Sequence, residues 1–216
     1  MSGRCFFEVV GNNIMNADLP KLLGDPEAVA SRMKELHAPH IHPLTVFVEQ
    51  LRLDVGPEMR IPYFDLWDAG VEAATLFLLE APGPMAVRTG FVSRNNPDET
   101  AKNFFELSVE ADIDRKTTVI WNTVPWYIGS GTRIRAATQT DVAEGTQPLP
   151  RLLALLPRLS TVVLVGRKAE KVESQFDPDR YTVVTCPHPS PLFVNRASGN
   201  CREILDAFRG LARKTD

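Results

Sequence analysis

Four short apolar runs constrain this chain more than anything else in it. They are Ala74-Thr75-Leu76-Phe77-Leu78-Leu79, Thr117-Thr118-Val119-Ile120-Trp121, Thr161-Val162-Val163-Leu164-Val165 and Tyr181-Thr182-Val183-Val184-Thr185. Each has the length of a strand. The first is a continuous apolar run, as a strand buried on both faces requires. Helical signals separate them. Strands alternating with helices predict an α/β chain, a three-layer α/β/α sandwich around a central, mostly parallel four-stranded sheet. In such sheets ligands bind beyond the carboxyl ends of the strands, so those four ends are where chemistry is sought.

The helices are placed by their caps. One is predicted over residues 26–36, with Asp25 as cap and Pro26 in the first turn. A second is predicted over residues 44–53, followed by an irregular stretch to residue 70. Another starts near Pro97, where Asn96 can cap and Glu99 can complete a capping box. Residues 127–148 read as a long loop. Helices follow over residues 150–156, 169–175 and about 200–212. No repeat or low-complexity linker interrupts the chain. We expect one domain over residues 1–216, with residues 1–70 as a peripheral helical and irregular segment.

Three of the four strand ends carry unusual residues. They are Glu80-Ala81-Pro82-Gly83, Asn122-Thr123-Val124-Pro125, and Cys186-Pro187-His188-Pro189-Ser190-Pro191-Leu192. The fourth, Gly166-Arg167-Lys168, looks ordinary. Each proline fixes its own φ and restricts the residue before it, so the last loop is stiff. It offers a histidine, a hydroxyl and an apolar side chain in a fixed arrangement. A rigid loop of that kind suits an enzyme that extracts a base from DNA, and it also suits a loop that merely ends a strand.

Charge and cysteine content narrow the classes. The net charge is −3, which argues against indiscriminate binding to nucleic acid. Residues 151–216 nevertheless carry 11 Lys and Arg against 7 Asp and Glu, and they hold the His188 loop. Local positive potential is enough to track a phosphate backbone. Cys5, Cys186 and Cys201 are odd in number and far apart, with no metal or cluster spacing. No apolar stretch approaches the ~20 residues of a membrane helix, and no secretory leader is visible. We expect a cytoplasmic protein with free thiols, no membrane association and no metal. The cluster His37-Ala38-Pro39-His40-Ile41-His42 lacks an acidic or thiol partner nearby, so a metal there is a minor alternative. The segment Ile128-Gly129-Ser130-Gly131-Thr132-Arg133-Ile134-Arg135 is glycine-rich and basic. It lacks the phosphate-loop lysine pattern and is a candidate contact for DNA backbone. Trp126 and Tyr127 either line a groove or pack at a loop base.

In this order, the three polar loops resemble the motifs of the uracil-DNA glycosylase superfamily, over residues 74–208. Leu79-Glu80-Ala81-Pro82-Gly83 is similar to the first motif of its thermostable, iron–sulfur branch. Trp121-Asn122-Thr123-Val124 and His188-Pro189-Ser190-Pro191-Leu192 resemble the central and last motifs of the uracil-specific branch. Three short motifs in order, each at a predicted strand end, are far more specific than any one. The four cysteines of the iron–sulfur branches are missing, so the resemblance is to an outlying branch without a cofactor.

The resemblance implies roles. Glu80 and His188 become the catalytic candidates: Glu80 for positioning the attacking water, His188 for stabilising the anion that develops on uracil O2. Asn122 would pair with uracil O4 and N3–H through one amide, which carries a donor and an acceptor. Phe91 would stack on the flipped base, with Ala81 and Gly83 also lining the base site. Leu192 would enter the duplex, and Ser190, Ser93 and Arg196 would contact DNA. The ordinary alternatives are a solvated loop for His188, a cap or hydrogen-bonded role for Glu80, a turn cap for Asn122 and a core ring for Phe91. The uracil-specific branch has Asp in the place of Ala81 and a bulky Tyr in the place of Gly83, so exclusion of thymine must arise elsewhere or be weaker. The implied activity is that of a monofunctional glycosylase that removes uracil, or other deaminated bases, from DNA and leaves an abasic site; a monomer without an obligatory protein partner is the default expectation. The alternatives are a protein that binds damaged or abasic DNA without turnover and a hydrolase of free nucleosides.

Overall fold

The computed structural model describes residues 18–130, 133–197 and 199–212. Cys5 and the residues read for a leader lie outside them. The strands are β1 (Tyr63–Phe64), β2 (Thr75–Leu79), β3 (Phe91–Val92), β4 (Thr118–Asn122), β5 (Thr161–Val165) and β6 (Thr182–Cys186). The α-helices are α1 (Pro26–Lys34), α2 (His42–Val55), α3 (Pro84–Thr89), α4 (Glu99–Glu110), α5 (Gln139–Gly145), α6 (Leu149–Ala154), α7 (Pro191–Val194) and α8 (Asn200–Ala212). The main sheet runs β4-β2-β5-β6, parallel throughout. A separate two-residue parallel ribbon joins β1 to β3.

Alternation along the strands builds the layers. Leu78 pairs in register with Trp121, and Phe77 with Ile120, so Phe77 and Trp121 face opposite sides. Phe77 meets Phe104 of α4 and Phe208 of α8 with ring centroids 5.1 and 5.3 Å apart. On the other side Trp121 stacks on Phe64 of β1 at 3.8 Å, with Phe47 of α2 edge-on to it. Helices therefore cover both faces, as a parallel sheet demands.

Several local readings change. The cap of α4 is Asp98, whose carboxylate accepts from Ala101 N at 2.9 Å. Asn96 instead turns inward and donates to Phe91 O. The loop read over residues 127–148 contains α5, started by a capping box of Thr138 and Asp141. Residues 170–175 form a 3-10 helix rather than an α-helix. The histidines of the 37–42 cluster are engaged: His40 Nε2 bonds Leu66 O at 2.7 Å, and His37 Nδ1 bonds His42 Nδ1 at 3.1 Å with the rings T-shaped. Among the described residues no three metal-ligating side chains converge, and no helix is long and apolar enough to cross a membrane.

Candidate active site

One cleft of about 570 Å³ opens at the carboxyl ends of the strands. All three polar loops contribute to it: Glu80, Ala81 and Gly83 after β2, Asn122 at the end of β4, and His188, Ser190 and Leu192 after β6. Their relative positions are set by the sheet. Leu79 and Asn122 are partners in register, and the pairing continues past the strands through Thr123 N to Leu79 O (2.7 Å) and Val124 N to Glu80 O (2.9 Å). Glu80 and Asn122 are thus held side by side by backbone hydrogen bonds.

Asn122 is 3% exposed, and its Nδ2 has no hydrogen-bond partner. A buried amide that donates to nothing costs about 1–3 kcal/mol, so the fold gains nothing from it as it stands. A turn-capping role, the ordinary alternative, would have given it a partner. Glu80 Oε1 accepts from Ala137 N at 2.5 Å. The carbonyl of Ala137 in turn accepts from the Lys168 ammonium. Glu80 Oε2 has no hydrogen bond among the described residues, and Glu80 lines the cleft.

The His188 loop is braced from three directions. Gly166 N donates to Cys186 O at 2.7 Å, continuing the β5–β6 pairing. Gly166 adopts φ +87°, and a Cβ there would lie 3.0 Å from His188 Cβ. Only glycine fits both the backbone angle and the close approach. Asn103 of α4 donates to Pro189 O at 2.9 Å, and the Ser190 hydroxyl caps α7. Burial holds the His188 imidazole below its ordinary range, opposed by the nearby Glu80 carboxylate. At neutral pH the ring is therefore neutral, with one N–H to give. Leu192 stands at the rim 87% exposed, and Arg196 beyond it is also exposed.

Two assignments do not fit this geometry. Phe91 is wholly buried in the core and does not line the cleft; Val92 does. The β1–β3 ribbon fixes that parity: Phe91 pairs with Tyr63 and Val92 with Phe64, so Phe91 and Val92 point to opposite sides and only Val92 faces the cleft. Ser93 reaches the cleft wall, but its hydroxyl is bound to Asp65 inside a buried ionic cluster. In that cluster Asp65 also takes hydrogen bonds from Arg32 and from Arg115 Nη2 (2.6 Å), and Asp68 takes one from Arg115 Nε (2.6 Å). Asp18 pairs with Arg94 and Arg115. Ser93 is thereby a structural hydroxyl.

The sequence reading missed Ala137, Lys168, Asn103 and Gly166. Lys168 and Gly166 belong to the strand end judged ordinary; only the positive φ of Gly166 distinguishes it, and that shows only in the fold. The Cys186 thiol at the loop base is pushed up to about 12 by burial and by Glu203 and Glu170, so it stays protonated and takes no nucleophilic part.

The sequence profile of the uracil DNA glycosylase superfamily matches residues 68–212. No curated protein is similar enough in sequence to match. Among solved structures, the NMR structure of a proposed uracil DNA glycosylase from Methanosarcina acetivorans aligns over 65% of this chain and 92% of its own, at 17% identity and a TM-score of 0.43. The crystal structure of the mimivirus uracil-DNA glycosylase aligns over 81% of this chain and 72% of its own, at 17% identity and a TM-score of 0.42. The profile match takes in all four strands of the main sheet and every loop that lines the cleft. On that match the chain belongs to the uracil DNA glycosylase superfamily.

Proposed function

We propose that this protein is a monofunctional DNA glycosylase that hydrolyses the N-glycosidic bond of uracil in DNA and leaves an abasic site. The observation that carries the reading is the Asn122 amide, buried and without a partner, on a cleft that also holds Glu80 and a neutral His188. Such an amide is complementary to a ligand edge that presents an acceptor beside a donor. Uracil offers O4 and N3–H in that order; cytosine reverses the pattern at that edge and leaves the amide mismatched.

The chemistry follows from where charge develops. As the bond from C1′ to N1 breaks, its electron pair passes to the base and positive charge grows on the sugar. The His188 N–H is offered to O2 of the departing uracil anion from a loop that needs no rearrangement. The Glu80 carboxylate, fixed through one oxygen by Ala137 N–H, has the other for a water molecule. It orients that water toward C1′ and stabilises the cationic sugar. The water oxygen bonds to C1′ and its proton leaves to solvent by way of the carboxylate. Leu192 fills the space the base vacates in the duplex. No step calls for a metal or a cofactor.

The test is release of uracil from single- and double-stranded oligonucleotides with EDTA present, read as alkali-labile abasic sites. Release in EDTA is the expected result. Salt-sensitive binding to abasic DNA without release would replace the enzyme with a damage-binding protein. Cleavage of free uridine with none of uracil in DNA would replace it with a nucleoside hydrolase.

A further inference from the structure

Two large apolar side chains stand exposed at the mouth of the cleft, and the proposed function uses only one of them. Leu192 follows β6, and Ile134, 46% exposed, follows β4. In the order β4-β2-β5-β6 these are the two edge strands, so the two side chains reach one cleft from loops that leave opposite edges of the sheet.

Ile134 is presented by a built strap. Ser130 and Arg133 form an antiparallel bridge through N–H···O bonds of 2.8 and 3.0 Å. The Tyr127 hydroxyl donates to Arg133 O at 3.1 Å. Gly129 lies so close beneath that a Cβ would sit 2.2 Å from Arg133 O. On the far side, Arg135 grips Asp141 with both Nη atoms at 2.6 and 2.8 Å. Ala137 is then tied by its N–H to Glu80 and by its carbonyl to Lys168. A chain segment fixed on both sides of an exposed isoleucine holds an apolar group in water at a free-energy cost.

Charge indicates what relieves that cost. Each apolar tip has an exposed arginine close to it in sequence, Arg133 directly before Ile134 and Arg196 four residues after Leu192. Among the described residues neither arginine is in an ion pair. An apolar tip flanked by an unpaired cation, repeated on both sides of one cleft, is complementary to a duplex, with its stacked bases inside and phosphates outside. The geometry points to Ile134 as a second apolar contact with double-stranded DNA, gripping the duplex from the side opposite Leu192, with Arg133 on an adjacent phosphate. This rests on the proposed action on DNA.

The test is fluorescence anisotropy with a duplex that carries a tetrahydrofuran abasic analogue, and with the same strand alone. The proteins are wild type, Ile134→Ser, Ile134→Leu and Arg133→Ala, and uracil release is measured on the same wild-type preparation. Ile134→Ser should weaken duplex binding about five-fold. It should leave binding to the single strand and the melting temperature unchanged, and Ile134→Leu should restore the duplex affinity. Arg133→Ala should lower the slope of log K against log salt by about one, which Ile134→Ser should not change. Ile134→Ser equal to wild type on the duplex, or equally weakened on both substrates, would overturn the inference and leave the glycosylase reading in place. Wild type that neither binds the duplex nor releases uracil would bring down both.

Discussion

The carboxylates of Asp65 and Glu80 have opposite surroundings, and the two regions they belong to do different work. Asp65 lies fully buried in the ionic cluster, where it accepts from Arg32, Arg115, Ser93 and the backbone of Trp67. Burial raises its proton affinity, but Arg115 and Arg32 outweigh that and hold the carboxyl below its usual range. Glu80 is half-buried and accepts one backbone N–H. The cluster spends most of its polar groups on one another, with Arg32 Nε, Arg94 Nε and Asp68 Oδ2 left over, and fixes the segment behind the cleft wall. The cleft keeps polar capacity in reserve: the Asn122 amide, one oxygen of Glu80 and the His188 N–H. Buried charge that is matched on several sides supports the fold, whereas polarity left open on the wall of a cleft is available to a ligand.

Substitutions at these two carboxylates should separate the regions most sharply. Asp65→Asn leaves Arg32 and Arg115 buried without their shared anion. It should cost about 3–5 kcal/mol in urea unfolding, with activity lost only in proportion to unfolded protein. Glu80→Gln keeps an acceptor for Ala137 N–H and should leave the unfolding midpoint close to wild type. Release of uracil should nevertheless fall about 100-fold in single-turnover assays. Comparable loss of stability at both positions would erase the contrast.

Lys168 holds the carbonyl of Ala137, whose N–H is bound by Glu80. Lys168→Met frees the Ala137 carbonyl and loosens the strap that aims Glu80. We expect release to drop about ten-fold with substrate affinity preserved, since a misplaced group costs rate more than binding. Lys168→Arg should recover much of the loss.

The cluster should also show a graded interior. Burial pushes the Asp68 carboxyl up to about 6 against the pull of Arg115, and its Oδ2 has no partner. Asp68→Asn keeps the Arg115 bond at Oδ1 and removes a buried charge. Its cost should stay under about 1 kcal/mol by thermal melting, far below that of Asp65→Asn.

The smallest effect concerns pH. The folded value of His188 lies below the 6.5 of a free imidazole, so the unfolded chain takes up a proton first. Stability should therefore begin to fall as pH drops through about 6.5 and level off below the folded value. Asp68 works in the opposite sense below about 6, because there the folded state holds the proton. The difference between wild type and His188→Asn isolates the histidine. A difference that does not change between pH 7 and 5.5 would mean His188 is not held neutral by burial.

Much of the sheet was legible in the sequence because its signals are local. An apolar run of five residues and a proline-rich end need no tertiary information, and β2, β4, β5 and β6 fall within one residue of where the runs place them. The motifs put Glu80, Asn122 and His188 on one rim for the same reason. The ionic cluster was not legible, because its pairs are separated by 33, 47 and 50 residues and no local pattern announces them. The face of Phe91 depended on pairing with β1, a two-residue ribbon too short to leave a periodic signal. Ser93 went with it into the cluster. The cap of α4 shifted from Asn96 to Asp98 because the Asn96 amide is claimed by Phe91 O and by the Thr89 hydroxyl.

The central claim is that Asn122 and His188 are held open for a base and are not holding the fold. Single-turnover uracil release by wild type, Asn122→Ala and His188→Ala, each with its melting temperature, tests it most directly. The account predicts losses of about 100-fold or more in both variants, with melting close to wild type, because neither substitution breaks a described side-chain hydrogen bond. Release near the wild-type rate in either variant, or a loss that tracks unfolding, would contradict it.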